Sequence, residues 1–222
     1  MIYIIMCGGT YPRWRIPKQM AKVNGEVLVD RTIRLLREYG ITNIAISSNN
    51  PAFEKYGVPV LRHNNDWLAR NYNDYDGYWV NAFYPVNEPV CYLFGDVYYS
   101  PEAIRTIVEY ETDDIMFFGS KPPFHPDYIK NNVEPFAFKV QNVQHLFEAC
   151  DKVKELDAQG KFSRKPLAWE LWFVICGADV EQETDCGNIK DERARNYVVI
   201  NDYTCDLDYP RDAKRLTKVV AK

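Results

Sequence analysis

Short apolar runs alternate with amphipathic segments along this chain, and that alternation limits its fold more than any other sequence feature. Ile2–Met6, Ile44–Ser48 and Val90–Phe94 are apolar runs of strand length, whereas Glu26–Tyr39 carries apolar residues at helical spacing. Another amphipathic helix is predicted after Ser100, a residue type that caps helix N-termini. Strands that alternate with helices predict an α/β fold with a mainly parallel sheet covered on both faces.

The remainder of the chain continues this pattern without a linker or an internal repeat. The 222 residues and 46% hydrophobic composition favour one domain spanning residues 1–222. Residues 119–134 contain several prolines and no periodicity, and therefore predict a loop. The spacing predicts further strands at Val58–Leu61, Ile115–Phe118, Pro135–Val140 and Tyr197–Ile200, and further helices at Tyr78–Tyr84, Gln141–Leu156 and Pro210–Val219.

Charge and cysteine content exclude several classes of function. The net charge is −4 and no basic patch is visible, which argues against a nucleic-acid partner. The first residues do not resemble a signal peptide and no run is long enough to span a membrane, so we expect a cytoplasmic protein without a membrane partner. The six cysteines form no C-x-x-C pair, so neither zinc nor a disulfide framework is predicted.

A glycine turn with two following cations is the first candidate site. The strand Ile2–Met6 leads into Cys7-Gly8-Gly9-Thr10, and Arg13 and Lys18 follow closely. Glycines accept positive φ and let backbone N–H groups approach phosphate oxygens, and the two cations offset phosphate charge. The pattern therefore predicts a polyphosphate site, although an ordinary βα turn would have the same glycines.

These residues resemble the start of the nucleotidyltransferase (pyrophosphorylase) superfamily. Members of that superfamily transfer a nucleotidyl group from an NTP to a phosphorylated small molecule. The residues that match its pattern are Gly8, Gly9, Arg13, Pro17 and Lys18. The resemblance implies a Rossmann-like, GT-A-like nucleotidyltransferase fold, with Arg13 and Lys18 as catalytic residues and with Cys7, Gly8, Gly9 and Thr10 binding the nucleotide.

The details of this segment resemble the small cytidylyltransferases more than the hexose-phosphate enzymes. The spacer between Arg13 and Lys18 is short, and Pro17-Lys18-Gln19 resembles the same tripeptide of methylerythritol-phosphate cytidylyltransferases. Tyr11 and Pro12 depart from the family pattern, which has a third glycine and a Thr or Ser there. The resemblance implies CTP as the nucleotide and leaves the effect of these two departures open.

Two aspartate segments resemble the magnesium ligands of the same superfamily. Asp96 follows the buried strand Val90–Phe94, where an unpaired carboxylate is costly. Asp208 lies in a segment that resembles the family's closing Asp-x-Pro-x-Asp, and Asp206 is the alternative ligand. The resemblance implies Mg²⁺ held by Asp96 and Asp208, a hard cation suited to carboxylates and phosphates. Asp96 could instead open a turn, and Asp208 could cap the last helix.

The remaining site residues concern the base and the acceptor. Arg62–Tyr75 is rich in Asn and aromatic residues and resembles a segment of bacterial choline-phosphate cytidylyltransferases that contacts nucleotide and acceptor; a polar surface loop is the alternative. Glu134 resembles the glutamate that approaches the acceptor there, and the abundant aromatic residues suit an aromatic cage for a quaternary ammonium. We therefore expect Asn49 and Asn73 to bind the nucleotide, and Glu134, Lys121 and Trp169 to bind the acceptor.

The resemblance implies an enzyme that transfers CMP from CTP to a phosphorylated sugar, alditol, choline or other metabolite. Pyrophosphate would be released, and the product would serve cell-surface polysaccharide modification. Two alternatives stay open: a glycosyltransferase that uses a nucleotide sugar, and a non-catalytic nucleotide-binding protein. Small enzymes of this kind often form homodimers, and the sequence leaves the oligomeric state open.

Overall fold

A central seven-stranded sheet organises the computed structural model, which describes residues 1–9, 13–62, 78–181 and 196–221. Its strand order is β10-β8-β9-β6-β1-β4-β5. Two short antiparallel pairs, β2–β3 and β7–β11, lie outside it. The strands are β1 (Ile2–Met6), β2 (Lys22–Val23), β3 (Glu26–Val27), β4 (Ile44–Ser47), β5 (Val60–Leu61), β6 (Val90–Phe94), β7 (Val97–Tyr98), β8 (Ile115–Gly119), β9 (Pro135–Val140), β10 (Tyr197–Val199) and β11 (Cys205–Asp206).

The central sheet is mainly parallel, which confirms the predicted α/β fold. Strand β1 pairs in parallel with both β4 and β6, and β10 pairs in parallel with β8. Strand β9 runs antiparallel to both β6 and β8. An antiparallel strand of this kind is compatible with the doubly covered sheet, and the sequence pattern carries no signal for its direction.

Five α-helices occur in the described part of the chain, and most lie where the apolar spacing predicts them. None of these helices has the length and apolar character needed to cross a membrane. Ser100 begins the second helix as predicted, because its Oγ accepts the N–H of Ala103 at 2.9 Å. The helices are α1 (Leu28–Glu38), α2 (Pro101–Glu109), α3 (Val143–Ala158), α4 (Ala168–Cys176) and α5 (Pro210–Val220).

An aromatic cluster fills the core on the β8–β10 side of the sheet. Phe117 of β8 stacks on Phe138 of β9, with ring centroids 4.4 Å apart. Trp169 and Trp172 of α4 and Tyr197 of β10 pack around the Phe117 ring at 5.0–5.7 Å. The packing of these rings around Phe117 fixes the position of β8, and therefore also the point at which the loop after β8 begins.

Strand register brings the ends of three strands to one edge of the sheet. Met6, the last residue of β1, is level with Phe94 of β6 and Ser47 of β4. The chain that continues from each strand therefore starts at the same edge, where ligands of open α/β sheets bind. The β7–β11 pair also meets this edge, because the N–H of Leu207 bonds to the carbonyl of Asp96 at 3.0 Å.

Some local predictions were wrong. The helix predicted at Tyr78–Tyr84 is a short 3₁₀ helix, Trp79–Ala82. Helix α4 was not predicted, because its run of mostly apolar residues is buried and lacks amphipathic spacing. The two-residue strands β2, β3, β7 and β11 were also missed, since a pair of residues gives no periodic signal.

Candidate active site

The glycine turn leaves β1 as the sequence predicts. The N–H of Cys7 continues the ladder to the carbonyl of Ser47 at 2.9 Å, and the turn then begins. Gly9 adopts φ 81°, a left-handed conformation that favours glycine. The side chain of Gln19 donates from Nε2 to the carbonyl of Gly8 at 2.9 Å. The turn is therefore held by β4 on one side and by the chain after Pro17 on the other.

Lys18 and Asp96, both predicted site residues, form an ion pair at this edge. Lys18 opens a 3₁₀ turn, Lys18–Met20, and only 4% of the residue is exposed. Gly95 lets the two segments approach, because a Cβ there would lie 2.6 Å from the carbonyl oxygen of Met6 and 2.7 Å from Cys7 Sγ. Burial, and next the Asp96 carboxylate, raise the pKa of the Cys7 thiol, which keeps it neutral. A buried ammonium is thereby fixed beside the glycine turn.

Two adjoining clefts share the glycine turn. The first contains the Lys18–Asp96 pair, and the second contains the end of β4. Gly8 lines both clefts, so a ligand could extend across the turn from one to the other. The first is lined by Met6, Gly8, Lys18, Gln19, Trp79, Ala82, Phe94 and Asp96, and the second by Cys7, Gly8, Gly9, Pro17, Ser48, Asn49, Asn50 and Phe53.

The segment after the glycine turn contacts the start of α5. The Arg13 guanidinium lies over the Tyr209 ring, 4.4 Å from its centroid, and the Arg211 guanidinium lies 4.5 Å from the same centroid. Trp14 donates from Nε1 to the carbonyl of Asp208 at 3.0 Å. Two exposed arginines therefore share one ring, and the predicted phosphate-binding segment is tied to the predicted metal segment.

A second lysine, Lys130, contacts three carboxylates close to the start of α5. Lys130 Nζ pairs with Glu134, Asp206 and Asp208, the last at 2.9 Å. Only 10% of the Lys130 side chain is exposed, and 2% of the Glu134 side chain. Burial lowers the pKa of Lys130, but attraction to Asp206, Glu134 and Asp208 outweighs it and raises that pKa overall. The ammonium therefore stays charged.

Glu134 is the most enclosed member of this cluster, and several donors fix it. Its Oε2 accepts the Tyr128 hydroxyl at 2.6 Å and the N–H of Asp206 at 3.1 Å. Its own N–H donates to Ser120 Oγ at 2.8 Å. Burial, and next the Asp206 carboxylate, raise the pKa of Glu134 to about 10. Its position is thus determined by both the loop after β8 and β11.

The carboxylates around Lys130 fit a divalent cation. Glu134, Asp206 and Asp208 each offer an oxygen, and these atoms lie within 4.8 Å of one another. Hard cations such as Mg²⁺ and Mn²⁺ take such oxygen ligands, and the Lys130 ammonium already stands in for a cation there. The group includes Asp208 and Asp206, both named from the sequence, but not Asp96.

The structure places the other predicted site residues in different surroundings. Asn49 is exposed at the end of β4 and lines the second cleft, and Lys121 is half-buried in the loop after β8. Trp169 is only 6% exposed and packs in the aromatic cluster, so it supports β8 and β10 rather than presenting a face to an acceptor. Thr10 and Asn73 lie outside the described residues.

The alternative interpretation of Asp208 as a helix cap does not hold. Tyr209 is the N-cap residue of α5, and its N–H donates to Asp212 Oδ2 at 2.8 Å. Asp208 lies one residue earlier, and its carboxylate faces Lys130. The Asp208 side chain therefore belongs to the Lys130 cluster.

Sequence reasoning missed Lys130 and the structural role of Gln19. Lys130 lies in the proline-containing loop, where no periodicity or motif marks it. Gln19 was noted within Pro-Lys-Gln, but its bond to Gly8 depends on the fold of the turn. The one signal available for Lys130 was its position four residues before Glu134.

Solved structures of low sequence identity share this fold. CTP:phosphocholine cytidylyltransferase from Streptococcus pneumoniae (LicC) has a TM-score of 0.51 at 17% identity, covering 99% of this chain and 98% of that one. The inositol-1-phosphate CTP transferase from T. maritima has a TM-score of 0.52 at 14% identity, with 98% and 95% covered. HddC from Yersinia pseudotuberculosis, complexed with GMP-PN, has a TM-score of 0.50 at 14% identity, with 97% of each chain covered.

Sequence comparison identifies the family. The search of curated proteins finds no match to this sequence. The family model for the MobA-like NTP transferase domain matches residues 3–126, which is more than half of the chain and includes the glycine turn, Lys18 and Asp96. The chain therefore belongs to the MobA-like NTP transferase family, whose members are nucleotidyltransferases.

Proposed function

We propose that the protein transfers CMP from CTP to a phosphorylated small molecule, with Mg²⁺ and with release of pyrophosphate. The observation that carries this proposal is the buried Lys18 ammonium, which Asp96 holds beside Gly8 and Gly9 at the carboxyl ends of β1 and β6. A fixed cation at a glycine turn suits the α-phosphate of a bound nucleotide. The acceptor would be a sugar, alditol, choline or other metabolite phosphate destined for a cell-surface polysaccharide.

The preference for CTP has two supports. Pro17-Lys18-Gln19 resembles the tripeptide of a cytidylyltransferase family, and two of the similar structures are CTP-dependent enzymes. HddC, which binds GMP-PN, shows that a chain of the same fold can hold a purine nucleotide, so each NTP needs testing. Because nucleoside triphosphates are cytoplasmic metabolites, we also propose that the enzyme acts in the cytoplasm.

The proposed reaction is a single displacement at phosphorus. An oxygen of the acceptor phosphate forms a bond to the α-phosphorus, the bond from that phosphorus to the bridging β-oxygen breaks, and pyrophosphate leaves with the electron pair. The attacking phosphate is already anionic at neutral pH, so no general base has to remove a proton. Catalysis then consists of positioning and charge stabilisation.

The first cleft, the segment after the glycine turn and the Lys130 cluster would each contribute residues to this positioning and charge stabilisation. Lys18 would neutralise the α-phosphate, and Arg13, which lies beside Tyr209, would neutralise the departing β- and γ-phosphates. Asp208, with Asp206 and Glu134, would hold Mg²⁺, with Asp96 as the further ligand that the superfamily resemblance implies, and the ion would offset phosphate charge.

The nucleotide would run along the glycine turn from one cleft to the other. Cys7, Gly8, Gly9 and Asn49 line the second cleft, and we propose that they contact the nucleotide, together with the predicted Thr10 and Asn73. Glu134 and Lys121 would face the acceptor. Lys121 lies in the loop that follows β8, one residue after Ser120, which bonds to Glu134.

Pyrophosphate release tests the proposal directly. Purified protein is incubated with Mg²⁺, each of the four NTPs and a panel of acceptor phosphates, and pyrophosphate is measured with a coupled assay. Release with CTP and one acceptor is the expected result. Release of a nucleoside diphosphate from a nucleotide sugar, with none of pyrophosphate, would indicate a glycosyltransferase. Nucleotide binding without turnover on any substrate would indicate a binding protein.

Lys18→Met tests the residue that carries the proposal, and Lys22→Met is its matched control. Lys22 is exposed in the short β2–β3 hairpin, so the same substitution there removes the same charge outside the cleft. We expect Lys18→Met to lower kcat by roughly two to three orders of magnitude, as loss of one transition-state donor does, with a smaller change in KM for CTP. Equal activity of the two variants would contradict the role of Lys18.

A further inference from the structure

We infer that Lys130 is an internal counter-ion that competes with the divalent cation for Glu134, Asp206 and Asp208. The cation must then displace the Lys130 ammonium in order to bind. This inference rests on the proposed magnesium dependence of the reaction. Its test measures cation binding without substrates, so its outcome is separate from whether pyrophosphate is released.

Lys130 contacts three carboxylates, and these come from two separate segments of the chain. Its Nζ reaches a carboxylate four residues later in the same loop and two carboxylates from the segment around β11. The farthest of the three oxygens that it contacts lies at 2.9 Å. At a protein surface, a lysine that pairs with one carboxylate is common. Here three carboxylates contact one largely buried ammonium, so the fold provides a preformed position for a cation.

The ammonium and a metal ion would occupy the same place. The three carboxylate oxygens lie within 4.8 Å of one another, so a point between them is close to all three at once. Lys130 Nζ already sits at such a point, because each of the three carboxylates contacts it. Magnesium binds oxygens at about 2.0–2.1 Å, a distance that leaves no room for Nζ in the same group. Binding of the two cations is therefore mutually exclusive.

Charge balance favours the exchange when a divalent cation is present. The carboxylates of Asp206 and Asp208 alone outnumber the single Lys130 ammonium, so negative charge is in excess, and a divalent ion compensates that excess better than a monovalent one. The cost is release of a largely buried lysine from its partners. Because the cost of releasing Lys130 opposes the gain in charge compensation, we expect the wild type to bind a divalent cation weakly. A variant without the ammonium should bind it more tightly.

Manganese binding measured by electron paramagnetic resonance tests this competition directly. Free Mn²⁺ gives a sharp six-line signal that is lost on binding, so titration of protein into Mn²⁺ yields a dissociation constant without nucleotide or acceptor. The proteins compared are the wild type, Lys130→Met, Lys130→Arg and Lys214→Met. Lys214 is exposed on α5, so its substitution matches the change in net charge but leaves the cluster intact.

We expect Lys130→Met to bind Mn²⁺ at least about tenfold more tightly than the wild type, since one buried positive charge is removed from the site. Lys130→Arg retains the charge and should bind as weakly as the wild type, as should Lys214→Met. Equal affinity of Lys130→Met and the wild type would overturn the inference. Weaker binding by Lys130→Met would overturn it as well, because Lys130 would then support the cation site.

Loss of the Lys130 charge could also unfold the apoprotein, because the three acidic side chains would lose their ammonium counter-ion. Circular dichroism of Lys130→Met, with Mn²⁺ added at constant ionic strength, covers that case. Recovery of the wild-type spectrum with Mn²⁺ but not with K⁺ would support competition for one site, by linkage of binding to folding. A variant that stays unfolded at millimolar Mn²⁺ would contradict it.

Discussion

The two lysine–carboxylate groups of the candidate site differ in how the chain assembles them. Asp96 lies two residues after β6, whereas Lys18 lies in the 3₁₀ turn that follows the glycine turn of the adjacent strand β1, and their side chains form an ion pair. Lys130 instead forms ion pairs with three carboxylates, one from its own loop and two from the segment around β11. The first group depends on strand register and on the 3₁₀ turn that begins at Lys18, whereas the second depends on the path of a loop without regular structure.

This difference suggests separate tasks for the two groups. The Lys18–Asp96 pair lies beside the glycine turn, where the nucleotide phosphates are proposed to bind. The Lys130 cluster offers a cation position that includes the predicted acceptor residue Glu134. The bond from Leu207 N–H to the Asp96 carbonyl joins the two, so a nucleotide in one and a cation in the other would lie in neighbouring parts of one site.

The largest effect is expected from Asp96→Asn. The substitution keeps the shape but removes the charge that holds the buried Lys18 ammonium, and with it a predicted magnesium ligand. We expect pyrophosphate release to fall by about a thousandfold or more, with the circular dichroism spectrum unchanged.

Asp151→Asn is the matched control for this experiment. Asp151 lies on α3 with 81% of its side chain exposed, and activity of that variant should equal that of the wild type. If Asp96→Asn retained full activity, neither the pairing with Lys18 nor the metal role of Asp96 would matter to the reaction.

The same contrast explains which parts of the site the sequence could predict. Asp96 closely follows a recognisable apolar strand and Lys18 follows the other after the glycine turn, and the level ends of these two parallel strands place both segments at one edge of the sheet. Asp208 was named from its motif, but the fact that it faces Lys130 required the path of residues 120–134. A loop without periodicity gives no distance information, so Lys130 and its three contacts could not be predicted.

In the fold as well, some elements could be predicted from the sequence and others could not. Long amphipathic or apolar segments, such as α1 and β6, were predicted because burial imposes their period on the sequence. The direction of β9 and the buried helix α4 were not predicted, because tertiary contacts decide both. Trp169 shows the consequence for the site: the sequence analysis expected it to bind the acceptor, but it packs among aromatic rings.

Two glycines allow the two groups to be disturbed one at a time. A Cβ on Gly95 would lie 2.6 Å from the Met6 carbonyl oxygen, and a Cβ on Gly119 would lie 2.6 Å from the Glu134 carbonyl oxygen. Backbone must therefore shift in either alanine variant, at a cost of about 1–3 kcal/mol in the free energy of unfolding. Chemical denaturation measures this cost.

The two alanine variants should differ in which function they lose, catalysis or cation binding. Gly95→Ala displaces Asp96 from Lys18, so we expect roughly a tenfold or greater loss of kcat, since catalysis depends on accurate placement. Its loss of Mn²⁺ affinity should be small, because Glu134, Asp206 and Asp208 keep their positions. Gly119→Ala shifts Glu134 instead and should weaken Mn²⁺ binding more than it lowers nucleotide affinity. Identical profiles for the two variants would show that the groups act as one unit.

The smallest expected effect is on the pH dependence of stability, and it belongs to the Lys130 cluster alone. Burial, and next the Asp206 carboxylate, raise the pKa of Glu134 to about 10, from an ordinary value of 4.5. Between these values the folded protein keeps a proton that the unfolded chain has released, so the Glu134 contribution to the free energy of unfolding falls as pH rises. One proton sets an upper limit of about 1.4 kcal/mol per pH unit.

Glu134→Gln should remove that dependence, because its amide cannot ionise. In the absence of divalent cations, the wild type should lose stability relative to Glu134→Gln by roughly 1 kcal/mol per pH unit between pH 6 and 9, as measured by urea denaturation. Glu148→Gln, an exposed position on α3, provides the control and should follow the wild type. Parallel curves for the wild type and Glu134→Gln would mean that Lys130 keeps the Glu134 carboxylate ionised throughout, so that the cluster would present three full negative charges to an incoming cation at neutral pH.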